Sequence, residues 1–425
     1  MINDFFTKIK LVFKDSNLSK KIFFVLAALV VFRILASIPI PGIDHVALEQ
    51  FFNNNQFLGL LNVFSGGGLS GLSIVMIGVG PYITASIIMQ LSTTMSEKLK
   101  ALYHEEGEAG KKKFMQYSRL LTLPIAVIQA TGFLVLLQQQ GIVPDLTTFQ
   151  LITNIIAITS GSMLLMWIGE LVSEFGIGNG ISLIIFAGIV AGLPTALQQL
   201  IFTYDPSQIP TYIAFFVVGV IIVLGVVLIS EAERPIPITY SKQVRANGAS
   251  SGGTSTYLPL RVNMAGVMPI IFALSILLLP QLASGFLANV NIEIVQTIAN
   301  NLTNFLANQL YYGIAYFVLV FLFTYFYTAV TFDPDSIATN LQKSGAFVSG
   351  VRPGEQTAKY LGDVLSRITL VGATFLGAIA VLPIIVQGIS GITSLTIGGT
   401  ALLIAVSVVI DLIKKVDAQV SMREY

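Results

Sequence analysis

Long apolar runs separated by short polar ones set the pattern of this chain. Stretches of about 18 or more residues with few charges recur along its whole length, and each predicts a helix able to cross a hydrocarbon core of about 30 Å. Ten spans are expected, at 22–40, 72–92, 118–138, 150–171, 181–202, 211–231, 263–285, 311–331, 366–387 and 394–412. The opening FFTKIKLVFKDSNLSKK differs. Phe5, Phe6, Ile9, Val12 and Phe13 fall on one helical face with lysines elsewhere, which predicts an interfacial helix within 1–21. A cleavable signal peptide fits less well, because 22–40 carries Arg33 and ends in IPIPG with no small-x-small site.

One stretch breaks the pattern. FLGLLNVF (57–64) is apolar but too short to cross, and VFSGGGLSGLSI (63–74) joins it to the second span through glycines. A non-spanning piece inside lipid leaves backbone groups unpaired, so it must sit in protein or line a water-filled cavity. The hinge hints at a cavity.

Composition settles the class. At 54% apolar and 11% charged over 425 residues, against roughly 25% charged in a globular chain, this is a polytopic membrane protein. With no cysteine, disulfides and thiolate metal sites are excluded. Charge then gives orientation. Of 23 Lys and Arg, all but three fall in 1–21, 93–117, 232–262, 332–365 and the tail 413–425. Arg119 and Arg367 sit at ends of spans on that same side, and Arg33 lies within the first span. The other loops carry only acids: Asp44, Glu49, Asp145, Asp205 and Glu293. The positive-inside rule therefore predicts cytoplasmic termini. Arg33 is open to two readings: a functional intramembrane cation, or one that snorkels or pairs with a carboxylate near PGID.

Ten spans divide into two groups of five, and an odd number per half gives the halves opposite orientations, as in an inverted repeat. Spans two and seven echo each other in GVGPYI and GVMPII. Secondary transporters also use inverted repeats, and they are the main alternative function. They generally need ionisable groups at mid-membrane, whereas here the central parts of the spans hold no Asp, Glu or His. An intramembrane enzyme is disfavoured too: His45 and His104 lie in opposite aqueous loops, and no His-Glu-x-x-His run occurs. GEAGKK lacks P-loop spacing, so the energy source is expected to be a partner or the membrane potential. No cofactor or metal is expected.

Six blocks carry a resemblance: FRILASIPIPGID (32–44), VFSGGGLSGLSI (63–74), GEAGKKKFMQYSR (107–119), GIGNGISLIIFAGIVAGLP (176–194), YLPLRVNMAGVMPIIF (257–272) and KSGAFVSGVRPGEQTAKYL (343–361). Together they resemble the SecY family of bacterial protein-translocation channels, from about residue 20 to 415. The resemblance implies an all-α bundle of ten transmembrane helices, in two inverted five-helix halves (22–205 and 206–412) around an hourglass pore. It implies a channel in the bacterial plasma membrane that passes unfolded secretory polypeptides and releases hydrophobic segments sideways into lipid. Residues 57–72 become a plug hinged at Gly66, Gly67, Gly68 and Gly71, glycine permitting backbone angles that other residues avoid. An ordinary loop with a short dimpling helix is the plainer alternative.

The family's pore ring maps onto Val79, Ile83, Ile181, Ile185, Ile271 and Ile404. A hydrophobic constriction gates by dewetting, and aliphatic side chains yield to varied cargo without binding it. Val79 and Ile83, like Ile181 and Ile185, are spaced i, i+4 and share a helix face. The family's lateral gate, between spans two and three and spans seven and eight, maps onto Thr84, Gln129 and Asn263. Hydrogen bonds between membrane helices are worth about 0.6 kcal/mol on average, weak enough for a signal sequence to displace; static polar glue is the alternative. The loops 232–262 and 332–365 are expected to bind the ribosome or the SecA motor ATPase. Arg352 in VRPGEQT matches a family arginine for such contacts, and Lys242 and Arg245 are the only cations beside the tip RANGASSGGTST (245–256). The family's basic tip is otherwise missing, which weighs against electrostatic contact there. SecE and SecG subunits and membrane lipids are the remaining implied partners.

Overall fold

The computed structural model describes residues 15–40, 68–69, 71–104, 106–139, 143, 146–202, 209–240, 243–244, 250–251, 255–287, 293–390 and 398–421. The N-terminal segment 1–14, most of the plug stretch (including Gly66 and Gly67), Lys242, Arg245 and most of the 245–256 tip lie outside the described residues.

Ten helices each overlap one expected span: α1 (Ser16–Ala36), α2 (Gly80–Met95), α4 (Gly107–Gln139), α5 (Thr148–Phe175), α6 (Gly180–Phe202), α7 (Ile209–Glu231), α8 (Met268–Leu287), α10 (Gln309–Thr331), α12 (Glu355–Ser390) and α13 (Gly398–Ser421). Three shorter helices join them: α3 (Glu97–His104), α9 (Glu293–Ala307) and α11 (Pro334–Lys343). The stretches 107–138, 148–175, 309–343 and 355–386 are long and apolar enough on their own to cross a membrane. Caps mark several ends. Asp15 accepts from the Asn17 N–H before α1, Asn308 from Leu310 and Tyr311 before α10, and Thr147 and Gln150 form a capping box on α5.

Two helices start later than the apolar pattern predicts. The second span was expected from 72, yet 71–79 is a succession of turns and helix begins at Gly80; the seventh was expected from 263 and begins at Met268. In both, the Gly-x-x-Pro pair lies at the helix start rather than the middle. Pro81 and Pro269 occupy the first turn, where a missing N–H costs nothing, and Gly78 and Gly266 precede them at φ +62° and +61°. Arg33 lies in the last turn of α1 and is exposed, where a cation favours the negative end of the helix.

Between α7 and α8, and again between α11 and α12, the chain builds a small sheet. Strands β1 (Glu233–Tyr240), β4 (Ser255–Arg261) and β5 (Ala346–Val348) run in the order β4-β1-β5, all antiparallel, while β2 (Gln243–Val244) pairs with β3 (Ser250–Ser251). β5 pairs only with Ile238–Tyr240, leaving Pro235 and Pro237 beside an unpaired edge, where proline is tolerated. Ile236, Leu260 and Val348 pack on Leu361, Val364 and Ile368 of α12. At 36 residues α12 is ~54 Å long, well beyond a hydrocarbon core of ~30 Å. Its first turns carry both loops as one platform. The end of the bundle bearing this sheet is called the sheet end below, and the other the far end.

Candidate functional site: a constriction between two broken helices

All six ring positions fall within one apolar cluster, which also gathers side chains from α1, α5, α7, α10 and α12. Val79, Ile185, Ile271 and Ile404 are each 1% exposed and Ile83 is 4% exposed, so the centre is closed. Ile181 is half-buried, and a Cβ on Gly169 of α5 would lie 2.9 Å from its Cγ1, so it packs partly on that helix. Val267 was not anticipated. It follows Gly266 as Val79 follows Gly78, it is buried, and it belongs to the same cluster. The shared pattern G-V-x-P-x-I, Gly78 to Ile83 and Gly266 to Ile271, was the signal in the sequence that would have found it.

Beside this cluster, towards the far end, lie residues 68–69 and 71–78, with Ile74 packed against both groups. Leu69, Leu72, Met76 and Ile77 are buried against Phe133, Leu134 and Leu137 of α4 and Ile158 of α5. Backbone groups at this depth must be satisfied internally. Pro39 and Ser73 form an antiparallel bridge, in which the Ile40 N–H donates to Leu72 O at 2.9 Å and the Ile74 N–H to Ile38 O at 3.0 Å. The Ser73 hydroxyl donates to Gly68 O at 3.1 Å, and that of Ser162 to Gly78 O at 2.8 Å. Of the expected hinge glycines, Gly68 and Gly71 are described, and Gly71 is not in the left-handed region. The left-handed residue beside them is Leu72, at φ +37°.

On the sheet-end side lies an open cavity of about 260 Å³ between the starts of α6 and α8 and the ends of α7, α10 and α13. Asn263 lines it, with its Oδ1 buried and unbonded. The gate residues therefore do not all meet. Thr84 and Gln129 are buried, and the Gln129 Nε2 donates to the Thr84 Oγ1 at 3.4 Å, but this bond links spans two and three. Asn263 precedes α8 at the sheet end and does not join them. The seam between α8 and the α2/α4 pair is closed by helix packing, with Leu278 packed against the cluster of Leu69, Leu72 and Met76.

Among the described residues, two ion pairs join different helices near the sheet end. Arg119 Nε donates to Glu170 Oε1 at 2.7 Å, joining α4 to α5, and Lys414 Nζ lies 2.8 Å from Glu231 Oε1, joining α13 to α7. Arg352 is exposed on the platform, its carbonyl held by the Thr357 hydroxyl at 2.8 Å.

A family model for SecY matches residues 73–413. The chain belongs to the SecY family. It is 40% identical over 432 residues to a protein translocase subunit SecY of Streptomyces galbus, covering 97% of each chain. It is 39% identical to those of Corynebacterium glutamicum and Mycobacterium tuberculosis, over 97% and 96% of each chain respectively. Among solved structures the fold resembles one described as a protein conducting channel, with TM-score 0.64, 20% identity and 95% and 92% of the two chains covered. It also resembles Sec61 in a canine ribosome-channel complex, with TM-score 0.60 over the same shares. A further structure with TM-score 0.64 concerns a SecY plug domain that stabilises the closed channel.

Proposed function

We infer that this chain is the central subunit of a protein-conducting channel, in which unfolded polypeptide enters from the sheet end and crosses at the ring. The observation that carries this is the meeting of six aliphatic positions from four helices of both halves at one apolar cluster, five of them buried in it and Ile181 packed against it, where both broken helices begin. Such a ring seals by dewetting and offers moving cargo no fixed polar partner. The segment ending at Gly78 is the base of a plug, and the halves 22–205 and 206–412 part to open the pore. Hydrophobic segments leave sideways between α8 and the α2/α4 pair. Because that seam is mostly apolar packing, a lipophilic helix can replace it without leaving polar groups unpaired.

The sheet and α11 form the docking platform for a ribosome or for SecA, with Arg352 suited to a bidentate carboxylate or phosphate contact. Lys242 and Arg245 belong to the same loop. The protein resides in the bacterial plasma membrane with cytoplasmic termini, SecE and SecG as companion subunits and lipid around the bundle. A secondary transporter is not favoured by the family match. The test is reconstitution with SecE, SecA and ATP in vesicles. A secretory precursor should become protease-protected, and protection absent despite SecA binding would overturn the reading.

A further inference from the structure

The two broken helices are built alike from opposite ends of the bundle. In the first half, a Cβ on Gly161 of α5 would collide with the Ile74 carbonyl oxygen; four residues later the chain turns at Gly78, and α2 begins with Pro81 in its first turn. In the second half, a Cβ on Gly372 of α12 would lie 2.5 Å from the Val262 carbonyl oxygen; four residues later the chain turns at Gly266, and α8 begins with Pro269. α5 and α12 are the fourth long helices of their halves, as α2 and α8 are the second. A carbonyl seated on a glycine, a left-handed glycine and a helix-opening proline recur with the same spacing.

What leads into each turn differs. At the far end it is the plug base. At the sheet end it is β4, whose continuation is tied to the platform where the Val262 N–H donates to Ala232 O at 2.9 Å. The locking of the two turns differs as well. The Ser162 hydroxyl pins Gly78 O at 2.8 Å. After Gly372 comes Ala373, which has no hydroxyl, and nothing lies within 4 Å of where a Cβ on Gly266 would stand. The first pivot is pinned and the second is open.

We propose that the seat of Val262 on Gly372 is the coupling point through which the loop platform turns α8 about Gly266. Load on the sheet then reaches Ile271, five residues beyond the pivot, and so the ring. In the second half the sheet holds the place that the plug base holds in the first. Val262, Gly372 and Gly266 are positioning residues. The inference rests on the platform reading above, and the experiment separates the two.

The purified channel complex in nanodiscs is followed by hydrogen exchange at amides 264–272, with and without non-translating ribosomes, and by resting ion conductance in planar bilayers. Ribosome binding should change exchange at 264–272. Gly372→Ala should keep ribosome affinity, lose most of that change and raise resting conductance. Gly377→Ala is the control for loosening of α12, since its Cβ would meet Phe317 of α10 at 2.9 Å; it should retain the change. Ala373→Ser supplies the hydroxyl that Ser162 provides in the first half. It should pin Gly266 and reduce the ribosome-induced change about five-fold, the effect of one net hydrogen bond, which keeps the test alive if Gly372→Ala fails to fold. No ribosome binding to the native chain would defeat the platform reading, leaving conductance to judge the link. The link itself is overturned if bound ribosomes leave 264–272 unchanged, if Gly372→Ala and Ala373→Ser behave as the native chain, or if Gly377→Ala matches Gly372→Ala.

Discussion

Ile83 and Ile271 occupy equivalent places, each two residues after the helix-opening proline, and are 4% and 1% exposed. Replacing either with Asn acts on the closed ring alone. Burial of the isoleucine side chain contributes about 2 kcal/mol there, and an unpaired amide in the same place costs a further 1–3 kcal/mol or so. In an open, wetted ring neither term applies, because the amide meets water. The closed state is thus destabilised by about 3–5 kcal/mol relative to the open one, a shift on the order of 100-fold or more. Resting ion conductance of the reconstituted channel reads this directly, and export of a reporter with a weakened signal sequence reads it in cells. Both variants should raise both signals to a similar degree. Phe216→Asn, at a position 72% exposed on α7, should leave conductance alone. Unchanged conductance in Ile83→Asn and Ile271→Asn, with normal membrane levels, would refute the ring.

Further consequences are narrower. Ile404→Asn should likewise wet the ring and relax the demand for a good signal sequence, read by the same reporter. Deleting 60–70 should raise resting leak without abolishing translocation; loss of all transport would instead make that segment structural. Leu72→Gly relieves a left-handed leucine by about 1 kcal/mol but deletes a side chain that is 1% exposed, a loss of about 2–5 kcal/mol; the net effect should loosen this segment and raise resting leak several-fold. Arg352→Glu should weaken ribosome or SecA binding in a sedimentation assay while leaving resting conductance unchanged.

The helices were legible because a span needs about 20 apolar residues and little else. The places where the reading slipped have a common cause. Apolarity does not distinguish a helix from irregular backbone buried in protein, so the turns at 71–79 and the lead-in at 263–267 read as helix. Only the glycine-proline pairs marked the true starts. The sheet was missed because ERPIPITY and STYLPLR are short and proline-bearing, and the pairing of ERPIPITY with AFV spans about a hundred residues of chain. The helix 293–307 was missed because its amphipathic face falls short of a span. The ring was legible only through resemblance: a buried isoleucine looks the same whether it lines a pore or a helix seam. Val267 escaped that route, and the repeat within the chain recovers it. The gate residues show the limit of transfer by position. Thr84 and Gln129 bond to each other, but on one side of the seam, and Asn263 stands elsewhere.

The central claim is that polypeptide passes through the ring, and the absence of cysteine makes it directly testable. A single cysteine is placed at Ile185, a secretory chain with one cysteine at mid-length is stalled in transit, and the pair is oxidised. A disulfide at Ile185, with none at the outward-facing control Phe216, is the result predicted. Continued transport with no crosslink at Ile185, Ile83, Ile271 or Ile404 would contradict it and place the path elsewhere.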